Sequence, residues 1–199
     1  MRILRAAEQR RMPWKNGGGT TTEIAVWPAE AGLDDFDWRV SMARVESDGP
    51  FSRFPGVDRS LSILDGAGLM LTVGEARPVA LTGDSAALAF AADVPTSATL
   101  IAGPITDLNV MTRRGAFVCA VERIEVGEGR SLGDEVITTI VLVDSGEMIA
   151  EMAAGGSTRL ARRDAVILEP GETAWVRSDA ACSAMVVAIR CVRSGDARS

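Results

Sequence analysis

The chain of 199 residues contains no histidine, no tyrosine and a single lysine, Lys15. Histidine is the usual general base of hydrolytic triads and the commonest transition-metal ligand, so its absence excludes most sites of both kinds. Three cysteines without Cys-x-x-Cys spacing argue against a disulfide framework and against a zinc ribbon. We therefore predict no metal and no other cofactor.

Charge and hydropathy exclude two classes of partner. With 21 basic and 27 acidic residues, the net charge of -6 is unfavourable for binding a phosphate backbone, so nucleic acid is not expected as a partner. The first residues lack an apolar export segment, and no apolar run is long enough to cross a bilayer. We predict a cytoplasmic protein without a membrane partner, and we leave a homodimer open as its assembly.

Closely spaced turn residues predict an all-β fold. Glycine, proline, asparagine and aspartate recur at short intervals, and the segments between them, such as 136–143 and 185–189, are rich in β-branched residues. A weak internal repeat relates Asp65 to Asp144 and Asp84 to Asp164, at offsets of 79 and 80 residues. Such a repeat is expected when two similar small barrels follow each other in one chain.

The glycine-rich run 13–21 is the first candidate site. Lys15 supplies an ammonium group, Asn16 an amide, and Gly17 and Gly18 a backbone whose N–H groups can converge on an anion. The alternative is a flexible hairpin with a solvated lysine. Trp14 favours the site, because a tryptophan is costly to leave exposed in a loop.

Two predicted strands carry the second candidate group. Strand alternation places Arg39 and Ser41 on one face of residues 36–43, which is either a barrel interior or the wet side of a sheet. The same alternation puts Asp107, Asn109 and Arg113 on one face of residues 107–113. That row offers an acceptor, an amide and a bidentate donor to a small polar molecule. An Asp107–Arg113 ion pair on a solvated edge is the alternative.

The irregular segment 48–59 is the third candidate. It contains two phenylalanines, two prolines and alternating charges, and structureless loops of this length are often functional. The alternative is a packed connection in which Phe51 and Phe54 close a barrel end while Asp58 pairs with Arg59 or Arg53.

These motifs together resemble the HutD/Ves family. They are Pro-Trp-Lys-Asn-Gly-Gly-Gly at 13–19, Phe-Asp-Trp-Arg at 36–39, Gly-Pro-Phe-Ser-Arg-Phe-Pro-Gly-Val-Asp-Arg at 49–59 and Asp-Leu-Asn-Val-Met-Thr-Arg-Arg-Gly at 107–115. The resemblance implies a bicupin of the RmlC-like cupin superfamily, with two tandem double-stranded β-helix (jelly-roll) barrels. It also implies a role in bacterial histidine utilisation or in a stress response.

We accordingly assign residues 1–115 to a first barrel with the ligand site, 116–193 to a second, structural barrel and 194–199 to a frayed tail. The leading hypothesis is a metal-free regulatory protein that binds a small anionic metabolite, either a carboxylate or a formylated compound. The predicted ligand-binding residues are Trp14, Lys15, Asn16, Gly17, Gly18, Thr20, Arg39, Ser41, Phe51, Arg59, Asp107, Asn109 and Arg113.

Two alternatives stay open. A metal-independent enzyme acting on an intermediate of histidine degradation would use Lys15 as a desolvated amine or Asp107 as a general base. A protein–protein regulatory module would dock a partner through the loop between Phe51 and Arg59.

Overall fold

The computed structural model describes residues 1–14, 17–153 and 155–192. Lys15 and Asn16, two of the predicted ligand-binding residues, and the predicted tail 194–199 lie outside the described residues. The described residues form strands, turns and bends and no helix, which confirms the all-β prediction. A helix long and apolar enough to span a bilayer is accordingly not found among them.

Nineteen strands occur within the described residues. The first ten are β1 (Arg2–Leu4), β2 (Arg10–Pro13), β3 (Gly19–Trp27), β4 (Trp38–Val45), β5 (Gly49–Pro50), β6 (Val57–Asp65), β7 (Leu69–Val73), β8 (Val79–Leu81), β9 (Leu88–Ala91) and β10 (Thr96–Leu100). The remaining nine are β11 (Ile105–Arg113), β12 (Phe117–Glu125), β13 (Arg130–Leu132), β14 (Thr138–Ser145), β15 (Met148–Met152), β16 (Ser157–Leu160), β17 (Ala165–Leu168), β18 (Ala174–Arg177) and β19 (Ser183–Cys191).

The chain divides into two compact units. One is Arg10–Val118, and the other combines Met1–Gln9 with Cys119–Ser199. This division differs from the predicted first barrel, 1–115, at both ends. At the start, β1 pairs antiparallel with β17, so the first residues belong to the unit formed by the C-terminal half. At the other end, the division falls inside the continuous strand β12.

The unit Arg10–Val118 contains two sheets. Six strands lie in the order β2-β3-β4-β11-β6-β9, and four lie in the order β5-β10-β7-β8. Strand alternation turns one face of each sheet inward, and both sheets contribute to one apolar cluster. Its buried members are Ala43, Val45, Leu61, Ile63, Leu69, Leu71, Leu81, Ala98 and Ile105.

The other unit repeats this strand order. Its sheets run β1-β17-β14-β19-β12 and β13-β18-β15-β16, so β12–β19 take the places that β4–β11 take in the first unit. The equivalent strands β6 and β14 are followed by glycines with positive φ, Gly66 at 89° and Gly146 at 73°, which L-residues rarely adopt. The weak sequence repeat thus has a counterpart in the sheet topology.

Asp164 holds the first residues of the chain in their unit. Its carboxylate accepts hydrogen bonds from the Arg5 guanidinium at 2.7 Å, from the Ala6 amide at 2.8 Å and from the Ala161 amide at 3.1 Å. Burial would raise the pKa of Asp164, but these bonds to Ala6, Arg5 and Ala161 lower it below its ordinary value.

We expect Asp164→Ala to lower the free energy of unfolding by about 3 kcal/mol, because three donors lose a charged acceptor. Urea denaturation at neutral pH measures this change. Asp179→Ala is the matched control, since the side chain of Asp179 is exposed and forms its ion pair with the half-buried Arg177 at the surface. Equal losses in the two variants would contradict the anchoring role of Asp164.

Candidate functional site

A layer of polar side chains crosses the inward face of the six-stranded sheet. The register places Ser41 opposite Asn109, and Met111 lies between Arg39 on β4 and Arg59 on β6. Arg39, Ser41, Arg59, Asp107 and Asn109 are all buried, and the face is the one that carries the core residues Ala43, Leu61 and Ile63. The wet-face alternative for Arg39 and Ser41 is therefore wrong.

This polar layer lies between two apolar clusters of the same unit. Along β11, Ile105 belongs to the cluster shared by both sheets, while Met111 packs with Phe36, Val57 and Ala92 in a second cluster. Asp107 and Asn109 occupy the positions between them. Burying polar groups is unfavourable unless they find hydrogen-bonding partners, so the layer is the costly part of this interior.

Asp107 is the most deeply buried charged residue of the layer, with 0% of its surface exposed. Its Oδ1 accepts a hydrogen bond from Asn109 Nδ2 at 2.5 Å, whereas its buried Oδ2 has no hydrogen-bonding partner in the part of the chain that the structure describes. Burial raises the pKa of Asp107 to about 7, although Arg59, the Asn109 amide and the Ala43 backbone all act in the opposite direction.

Arg59 lies inside an aromatic cage. Its guanidinium carbon is 5.2 Å from the ring centre of Phe51, 5.4 Å from that of Phe54 and 5.8 Å from that of Phe90. Nη2 donates to the Ser52 carbonyl at 3.2 Å, and the buried Nε finds no hydrogen-bonding partner within residues 1–14, 17–153 and 155–192.

The charge of Arg59 is poorly compensated within the layer. Burial lowers its pKa to about 10; the charge of Asp107 opposes this shift, and Arg39 adds to it. The side chain therefore still carries its positive charge at neutral pH, in a place where water cannot solvate it. An anion is the ligand that such a group favours.

Arg39, by contrast, is paired. Its Nε donates to Glu23 Oε2 at 2.7 Å, and Glu23 lies opposite Ser41 on β3. Sequence reasoning did not include Glu23 in the site, because a bulge between Glu23 and Ala25 changes which side chains of β3 face inward. Phe90 was also missed, since nothing in its alanine-rich segment distinguishes it from ordinary core packing.

The glycine-rich segment begins beside the core of this unit. Trp14 packs against the apolar cluster shared by both sheets, and its indole Nε1 donates to Thr21 Oγ1 at 2.8 Å. A Cβ on Gly19 would lie 2.2 Å from the Arg44 carbonyl oxygen and 3.1 Å from the Trp14 ring, so only glycine fits there. Gly17 has a φ of 73°, and Gly18 accepts a hydrogen bond from the Glu46 amide.

Two predicted residues do not join the layer. Thr20 lies opposite Arg44, so its side chain points to the other face of the sheet from Thr21. Arg113 donates through Nη2 to the Phe36 carbonyl at 2.7 Å and the Asp34 carbonyl at 3.3 Å. An Asp107–Arg113 network on a solvated edge is therefore wrong as well.

The predicted irregular segment 48–59 is shorter than expected, because β6 already begins at Val57. Asp58 points away from Arg59 and accepts from Arg114 Nε at 2.7 Å, so its predicted pairing with Arg59 or Arg53 is wrong. Phe54 packs edge-on against Phe36 at 6.1 Å between ring centres, and both Phe51 and Phe54 face Arg59. Six predicted residues thus come together: Arg39, Ser41, Phe51, Arg59, Asp107 and Asn109.

The other unit has an apolar interior at the equivalent place. The core cluster described there consists of side chains such as Val141, Val143, Val166, Leu168 and Ala184. Its buried carboxylates are paired with arginines: Asp144 with Arg123 and Arg163, and Asp164 with Arg5. In the part of the chain that the structure describes, the polar layer therefore belongs to the unit Arg10–Val118.

The donors of the layer do not fit a transition metal. Two guanidinium groups face the same interior as the carboxylates of Glu23 and Asp107, and their charge disfavours a cation. Over residues 1–14, 17–153 and 155–192, no three Cys, Asp or Glu side chains gather as metal ligands would.

The all-β arrangement of strands is a cupin-like fold, which solved structures of low sequence identity share. Oxalate decarboxylase OxdC of Bacillus subtilis shares this fold at a TM-score of 0.65 and 9% identity, over 94% of this chain and 76% of the decarboxylase chain. A sequence model of the HutD family matches residues 6–186, and the chain therefore belongs to the HutD family. The family resemblance carried by the four motifs is confirmed.

Relatives and solved structures agree with this assignment. An uncharacterized 21.2 kDa protein in the hutC 3' region of Pseudomonas putida is 36% identical over 171 residues, 85% of this chain and 87% of its own. Protein Ves of Citrobacter koseri is 41% identical over 117 residues, which are 53% of this chain and 56% of Ves.

Two solved structures match this protein over nearly its whole chain. A conserved protein of unknown function from Pseudomonas aeruginosa PAO1 has a TM-score of 0.87 and 31% identity, over 95% of this chain and 98% of its own. HutD from Pseudomonas fluorescens SBW25, in a formate condition, has a TM-score of 0.80 and 27% identity, over 96% of this chain and 99% of the HutD chain.

We expect Asp107→Asn to stabilise the protein increasingly as the pH rises. Folded Asp107 keeps its proton up to a pKa of about 7, whereas in the unfolded chain the carboxyl loses it near the ordinary value of 3.8. The wild type therefore loses stability between these values as the pH rises, and asparagine does not titrate. Between about pH 5 and pH 8, the difference in unfolding free energy should grow by roughly 2–3 kcal/mol in favour of the variant.

Urea denaturation at the two pH values measures this difference. Asp58→Asn, on the other face of β6, is the matched control and should show no such growth. An Asp107→Asn effect that is the same at both pH values would contradict the shifted titration of Asp107.

Proposed function

We propose that this protein binds a small carboxylate or formylated metabolite inside the unit Arg10–Val118, without a metal, in a regulatory role. One observation carries the proposal. Arg59 Nε and Asp107 Oδ2 are buried on the same inward face, and neither has a hydrogen-bonding partner among the described residues. Buried groups of this kind are rare, because each lost hydrogen bond to water costs about 1–3 kcal/mol.

A small carboxylate would supply what Arg59 lacks. Its oxygens would accept from Nε, which adds a charge-assisted hydrogen bond and compensates the guanidinium charge. Phe51 and Phe90, beside the same guanidinium, would contact the apolar part of the ligand. Asp107, Asn109 and Ser41 would fix the orientation of its second polar group.

The relatives support both the ligand class and the biological role. Formate, named in the condition of the Pseudomonas fluorescens HutD structure, is the smallest carboxylate. The name of the Pseudomonas putida relative places it in the 3' region of hutC. We infer a role linked to histidine utilisation, in which the ligand is a carboxylate of that metabolism.

We also infer a bicupin architecture, in which each unit is a double-stranded β-helix barrel. The support is the strand order, since β12–β19 repeat the arrangement of β4–β11. The apolar interior of the second unit favours a scaffold role for it.

A metal-independent enzyme is the second candidate. It is favoured by Asp107, a fully buried carboxyl group whose pKa of about 7 suits a general base. Docking of a protein partner through the 51–59 loop is less well supported, because Phe51 and Phe54 face Arg59.

We expect Arg59→Gln to weaken formate binding at least tenfold, because glutamine keeps a polar side chain but removes the charge. Chemical-shift titration with sodium formate measures the affinity, and the same spectra report whether the fold is retained. Arg53→Gln is the matched control. Arg53 lies in the irregular segment before β6 and donates to the Asp93 carbonyl, and the affinity of this variant should equal that of the wild type. Equal affinity in Arg59→Gln would refute the site.

Lys15 lies outside the described residues, so its place in the site is a prediction from the sequence alone. We expect Lys15→Ala to weaken formate binding several-fold without unfolding the protein, because it removes a positive charge from the glycine-rich run. The same titration, compared with thermal unfolding of both proteins, measures the effect. Unchanged affinity would remove Lys15 from the site.

A further inference from the structure

The charges that face Asp107 can be followed strand by strand. Glu23 on β3 and Arg39 on β4 pair with each other. Arg113, at the end of β11, is directed to backbone carbonyls, and Arg59 on β6 contributes a positive charge. The described strands β5, β7, β8, β9 and β10 contain no charged residue.

This arrangement leaves one positive and one negative charge, Arg59 and Asp107, that attract each other without a direct bond. Arg59 stabilises the ionised form of Asp107, yet neither Asp107 Oδ2 nor Arg59 Nε has a hydrogen-bonding partner among the residues that the structure describes. The ionised carboxylate of Asp107 therefore depends on the charge of Arg59.

A carboxylate bound at Arg59 changes that balance. It adds a second negative charge to the interior that Asp107 and Arg59 share, and it occupies the group whose charge stabilises ionised Asp107. Two carboxylates in a buried, weakly polarisable site do not stay ionised together, and they share a proton instead. Protonated Asp107 also gains an O–H group, which its unpartnered Oδ2 can donate to an acceptor on the ligand.

We propose that one proton is bound at Asp107 together with each small carboxylate that binds at Arg59. This inference rests on the proposed function, since it requires the carboxylate site. The step is balanced, because the ligand anion, one proton from solvent and ionised Asp107 combine into a complex that contains neutral Asp107. It also defines the ligand class: carboxylates whose second polar group is an acceptor, such as a carbonyl, are favoured over those that present an ammonium group.

The direction of the pH effect follows from the free protein. Burial raises the pKa of Asp107 to about 7, and a bound anion raises it further. Below pH 7 the proton is already present, so little is taken up on binding. Above pH 7, the protein takes up close to one proton for each ligand bound, and the affinity for the ligand falls by up to about tenfold per pH unit.

Formate titrations of the full chain test this inference in two ways. Potentiometry in weakly buffered solution counts the protons taken up, and chemical-shift titration gives the affinity at about pH 6 and about pH 8.5. We expect close to one proton at the higher pH, well under half a proton at the lower, and an affinity about 10- to 30-fold weaker at the higher pH.

Asp107→Asn should bind formate with the same affinity at both pH values and without proton uptake, because asparagine does not titrate. Asp58→Asn, on the other face of β6, should behave as the wild type does. The proton count on the wild type requires no variant, so the result holds even where Asp107→Asn unfolds.

The outcomes separate this inference from the function on which it rests. Formate binding without proton uptake and without pH dependence would overturn proton coupling and leave the carboxylate site intact. Proton uptake that persists in folded Asp107→Asn would also overturn it, since another group would then hold the proton. Absence of formate binding at both pH values would overturn the proposed function, and this inference with it.

Discussion

Arg59 keeps a full positive charge inside the protein, and no carboxylate of the described residues is bonded to it. Three phenylalanine rings, one carbonyl oxygen and the sulfur of Met111 surround the guanidinium, and these contacts replace only part of its hydration. The rest of the site is arranged around this uncompensated charge. Phe51 and Phe54 are held against it. Asp107, on the same inward face, is ionisable, and its Oδ2 has no hydrogen-bonding partner among the described residues.

The two units show that one strand order can support different interiors. In the unit Arg10–Val118 the middle of β11 carries Asp107 and Asn109, whereas the described core of the other unit is formed by aliphatic side chains. An aliphatic interior stabilises a unit by burying apolar area. A polar interior lowers the stability of the unit, and functional sites commonly lower stability in this way.

Strand alternation made much of the polar layer predictable. Arg39 and Ser41, like Asp107 and Asn109, are two residues apart, so a local period of two places each pair on one face. The interior position of Arg59 depends on where β6 begins, and that of Glu23 on a bulge, and neither is visible in the local pattern. The partner of β1 lies far along the chain on β17, a pairing that local signals do not encode.

That pairing has a consequence for synthesis and for engineering. The residues of Arg10–Val118 leave the ribosome before β17 and β19, so this unit can assemble first while Met1–Gln9 waits for its partners. A simple truncation near residue 118 would strip the remaining fragment of the strand and the arginine that complete the discontinuous unit. Isolating that unit requires a fused gene in which the segment ending at Gln9 is joined to the segment beginning at Cys119, with a linker long enough to serve β1 and β12 at the two edges of one sheet. The unit Arg10–Val118 is already one uninterrupted stretch.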